Sequence, residues 1–147
     1  MDELPAALGG GLAGTVAMVV VVVGAEALTP YEFRAPETLA GLVNAPEAAG
    51  LGLFVVAGVV LWPLLFVSLG RRLPGPGERT RALLFVGLLW VAYVIGFSEL
   101  AIRGGPPFDP RGDLLAFLVT SLVGHALYGL GLGTLVATAD ERRTRAV

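Results

Sequence analysis

The chain contains no cysteine, no lysine and a single histidine, His125. The missing cysteines exclude disulfides, thiolate metal sites and cysteine nucleophiles. All ten basic residues are arginine, and with the acidic pI of 5.3 that pattern suits GC-rich coding or a salt-rich source. Charged residues make up only 15% of the sequence, where soluble domains carry about 25%. No basic helix or stripe stands apart from short flanking clusters, so no nucleic-acid partner is expected. Phosphate-binding, hydrolase-elbow, zinc-protease and dinucleotide fingerprints are all missing.

What the chain has in excess is apolar residues, 55% of its 147, gathered into long runs. A helix needs about 20 apolar residues to cross a bilayer. Four stretches meet that length: about 8–28, 47–69, 81–102 and 114–138. No charged residue lies between Asp113 and Asp140. The five consecutive valines from Val19 to Val23 would suit a strand in water. In lipid a helix satisfies its own backbone, so helix is expected. The fold class that follows is all-α: an integral membrane bundle of four antiparallel helices forming a single domain, with the bilayer as its first partner.

Breaks between the runs are clear. Thr29-Pro30 ends the first, and GRRLPGPGERT (Gly70 to Thr80) and RGGPPFDPRG (Arg103 to Gly112) are proline- and glycine-rich turns. Pro36 to Asn44 reads as a short interfacial helix opened by Pro36 and Glu37. Pro63 lies well inside the second run and is expected to kink it. The tail DERRTRAV is too short and polar to fold alone. The loop between runs two and three, together with the tail, holds Arg71, Arg72, Arg79, Arg81, Arg142, Arg143 and Arg145. The other loops hold Arg34, Arg103 and Arg111. That imbalance predicts a plasma-membrane protein with both termini cytoplasmic.

Small residues at four-residue spacing let helices in lipid approach closely. Gly10 and Gly14 form such a pair in the first run. Ser121, His125, Gly129, Gly133 and Ala137 form a ridge in the fourth. The two ridges are expected to pack on each other, with the imidazole in the contact. Remaining small-residue surface predicts a homo-oligomer or contacts with other membrane subunits.

Ionisable groups inside a span cost roughly 2.5–3.5 kcal/mol at its centre, so each is a functional candidate. Glu26, Glu99 and His125 qualify. Glu26 and Glu99 sit a turn from their helix ends, and Glu99 has Arg103 four residues on, in the favourable order for an ion pair. They read as interfacial carboxylates or as a small acidic vestibule. His125 reads as a neutral hydrogen-bond bridge to Thr15, Ser98, Thr120, Tyr93 or a backbone carbonyl, or as a proton-transfer or substrate contact. One histidine per chain cannot supply two axial haem ligands, and with no other deep carboxylate no metal or cofactor is expected. Trp62, Trp90 and Tyr93 read as packing residues.

Two segments carry a family likeness: Gly10, Ala13, Gly14 and Ala17 in the first run, and His125, Tyr128, Gly129 and Gly133 in the fourth. The chain resembles a family of small prokaryotic, archaeal-type, four-helix membrane proteins of unknown function. Members often open with a G-x-x-A-G-x-x-A-T-like helix and close with H-x-x-Y-G-x-x-x-G. This sequence has Met18 where a threonine-methionine pair is common. The likeness implies the topology and no activity. The functional expectation is a non-enzymatic assembly partner or accessory subunit of a respiratory or transport complex. The alternative is a small oligomeric channel or transporter with Glu26, Glu99 and His125, helped by Ser121 and Tyr128, along an outward-facing polar path.

Overall fold

Proline, glycine and asparagine set where the helices begin and end. The computed structural model describes residues 3–30, 32–102 and 114–145, with side chains of the third long helix described as far as Gly96. Four helices among these are long and apolar enough to cross a membrane. α1 is Glu3–Leu28; it starts five residues before the apolar run, with Glu3 in the first turn, where the helix dipole favours a carboxylate. α2 is the short helix Ala35–Leu42. Asn44 ends it at φ 56°, with Ala45 N–H donating to Ala40 O (3.0 Å) and Asn44 N–H to Gly41 O (3.3 Å). That paired bonding is the Schellman cap, and asparagine tolerates the left-handed conformation it requires.

The second long helix is built from three pieces: α3 (Glu47–Val56), a π-helical segment (Ala57–Leu61) and α4 (Trp62–Ser68), followed by a 3₁₀ turn at Gly70–Arg72. Pro63 has no N–H to give the turn before it. The backbone answers by widening that turn, where the sequence suggests a kink. α5 is Glu78–Ile102 and α6 is Leu114–Arg145. The tail does not stand alone: as far as Arg145 it continues α6, because Arg142, Arg143 and Arg145 lie at the negative end of the dipole and the preceding helix supplies the nucleus.

α6 sits between α1 and α5, and the second long helix packs on the other side of α1. Gly10 lies against Leu132 and Gly14 against Tyr128. A Cβ at either would come within 2.7 Å of α6 atoms, closer than packed carbons approach. Gly129 and Gly133 do not face α1. They meet Val86 and Ala82 of α5, while Gly131 and Gly124 face α1. The expected ridge-on-ridge contact is therefore corrected. Positions 129 and 131 are two residues apart, about 200° around the helix, so α6 uses small residues on two opposed faces.

Phe66, Val86, Leu132 and Val136 belong to the buried core. Outside it the surface is apolar: Leu115 is 73% exposed, Val20 66% and Ile95 59%. One face is charged. Glu3 pairs with Arg71 (2.5 Å) and Arg143 (3.5 Å), and Glu78 with Arg81 (2.8 Å) and Arg71 (3.6 Å). These contacts gather the start of α1, the 3₁₀ turn, the start of α5 and the end of α6 at one end of the molecule.

Candidate functional site: an interhelical cavity beside His125

A cavity of about 410 Å³ lies among the second long helix, α5, α1 and α6. It exists because the helices meet unevenly. Close to the charged face, the rings of Phe66 and Phe85 lie 5.6 Å apart and bring α4 and α5 together. Further along, α5 makes no extended contact with α3, the π segment or α4. The side chains α5 offers there are Leu89, Ala92, Tyr93 and Gly96, two of them too small to bridge the gap. α2 roofs the space with Ala35, Leu39 and Leu42. It is held down because Gly50 has no side chain: a Cβ there would strike the Pro36 carbonyl. Phe33 and Phe54 close the same corner edge to face, at 5.5 Å.

The wall nearest α6 carries the polar atoms. Tyr128 is 3% exposed and its hydroxyl donates to the Gly58 carbonyl at 2.5 Å. The π segment accounts for this bond. Trp62 N–H donates to Ala57 O, five residues back. The ordinary fourth-residue donor for Gly58 is thus committed elsewhere. The next candidate, residue 63, is proline and has no N–H. A buried carbonyl without a donor is costly, and Tyr128 of α6 supplies one. Thr15 stands beside the same turn, its hydroxyl bonded to Gly11 O at 2.7 Å; a Cβ at Gly58 would collide with Thr15 Oγ1.

His125 is on the rim between the two packed faces of α6. Its Nδ1 lies 2.7 Å from Ser121 O. A carbonyl only accepts, so Nδ1 carries the hydrogen. Its ring lies 5.3 Å from that of Tyr93, tilted by 41°. Ser121 accepts from Trp90 Nε1 at 3.0 Å and donates to Leu118 O at 3.2 Å. The structure thus brings His125, Ser121 and Tyr128 to one cavity. Glu26 is elsewhere: exposed, its Oε1 accepts the Phe33 N–H at 2.8 Å and tacks the loop to the end of α1. Glu99 and its expected pairing with Arg103 lie outside the described side chains. Among the described residues no group of three or more His, Asp or Glu gathers as a metal would need.

Sequence reading took Trp62 and Tyr93 as packing residues and passed over Phe54 and Gly58; all four line the cavity. A usable signal was the Trp62-Pro63 pair: a proline deep in an apolar helix leaves carbonyls in need of a donor, and a tyrosine on another helix is a natural source.

The arrangement defines a class: an all-helical protein of long apolar helices around a lined interhelical cavity. The chain belongs to DUF6789, a family of unknown function, whose model matches residues 1–147. Comparison with curated proteins and with solved structures finds no match for it.

Proposed function

We propose that this is a non-enzymatic multi-pass membrane protein that takes up a small, largely apolar molecule from the bilayer. In this reading four antiparallel helices span the plasma membrane, with the charged face and both termini cytoplasmic. The observation that carries the reading is the cavity. Its 410 Å³ falls in the ~300–1,000 Å³ range of small-molecule sites. Its walls are apolar with a few convergent polar atoms, and they are built from helices that this reading places in lipid. The test is native mass spectrometry of protein released from lipid nanodiscs. Wild-type protein is expected to carry a small-molecule adduct that Ala57→Phe, which fills the cavity, loses. Identical spectra from the two proteins would refute the reading.

A second reading, an accessory subunit of a membrane complex or a homo-oligomer, is favoured by one observation. α5 leaves Leu84, Leu88, Val91 and Ile95 exposed along one apolar stripe among the described residues. A stoichiometric partner in mild-detergent purification is its expected signature, and a lone monomer would contradict it.

A further inference from the structure

We propose that the occupant of the cavity is an amphiphile headed by an aromatic hydroxyl, a phenol or hydroquinone with an apolar tail, and that His125 Nε2 accepts its hydrogen. This rests on the reading of the cavity as a binding site.

The polar atoms of the wall decide the head group. With Nδ1 committed to Ser121 O at 2.7 Å, the neutral ring presents Nε2 as a lone pair on its far edge. Nε2 has no partner among the described residues. Thr15, Ser121 and Tyr128 have each spent their hydroxyl hydrogen on a backbone carbonyl, those of Gly11, Leu118 and Gly58. What those oxygens keep is acceptor capacity. Thr120, which also lines the cavity, has no bond among the described residues and can turn either way. The wall is therefore rich in acceptors. A ketone or ether head would find donors only in the Thr120 hydroxyl and the Trp62 indole N–H, and against Nε2 it would place lone pair on lone pair. A charged head would enter without a counter-charge, since no charged side chain lines the cavity among the described residues, and unpaired burial of charge is prohibitive. A neutral donor fits.

The shape of the wall favours a ring behind that donor. Tyr93 leans over His125, while Trp62 and Phe54 line the cavity from the second long helix. Aromatic faces and edges at this spacing receive a further ring in offset or edge-on geometry. Ala57, Ala92 and Gly96, small residues of the lining, leave room for the tail.

The chain has two tryptophans, of which Trp62 lines the cavity, so Trp90→Phe protein in nanodiscs reports on the site alone. A brominated alkylbenzene bound there quenches Trp62, and 4-hexylphenol and its methyl ether, 4-hexylanisole, compete for the place. The phenol is expected to displace the quencher about tenfold more tightly than the ether, the scale of one buried hydrogen bond. His125→Leu is expected to bring the two together by weakening the phenol alone. Equal displacement by phenol and ether in protein with His125 intact, or an undiminished difference in His125→Leu, would overturn the proposal while leaving the cavity a binding site. Failure of both compounds to displace the quencher would overturn the binding site and the proposal together.

Discussion

Tyr128 and Pro63 solve one problem between them. Proline withholds an N–H, the π turn moves another, and the phenol repays the carbonyl left over at Gly58. Tyr128→Phe removes the donor and keeps the ring. A buried acceptor left unpaired costs about 1–3 kcal/mol, and a loss of that size is expected in reversible unfolding in detergent. Pro63→Ala restores an N–H to the turn. In that background Tyr128→Phe is expected to cost much less, and a double-mutant cycle would read the difference as coupling. Additive losses would mean that the hydroxyl and the proline act independently. The pair was half legible in the sequence. A proline inside an apolar run announces a backbone defect, but whether the helix kinks or widens depends on which neighbour can donate, and that neighbour is 65 residues away.

At the scale of elements, apolar run length was the clear signal. Each of the four runs became one long helix, because in a sequence this poor in charge the runs have few other uses. The short helix read over Pro36 to Asn44 is α2, and Asn44 caps it from outside at φ 56°. Which faces meet was not legible. Small residues lie on two sides of α6, and four-residue spacing picks out one side without saying which neighbour takes it. Nor does spacing reveal that α2 lies on Gly50, a contact made by backbone alone. Gly50→Val is expected to lift α2 from α3 and open the roof. Hydrogen exchange over residues 35–42 should accelerate, while the seam of α1 with α6 keeps its protection. Unchanged exchange in α2 would mean that the glycine carries no weight.

For the whole molecule, the order of contacts matters more than the number of helices. α1 and α6 form a tight seam, and the second long helix and α5 attach to opposite sides of it. They come together at the charged face and part beyond the Phe66–Phe85 contact, and the cavity is the consequence. The most direct measurement is a titration of a brominated alkylbenzene into nanodisc-embedded Trp90→Phe protein, reading Trp62 fluorescence. Saturable quenching with one site per chain, abolished by Ala57→Phe, is the expected result. Quenching that climbs in proportion to the amount partitioned into the lipid, with Ala57→Phe indistinguishable from its parent, would contradict it.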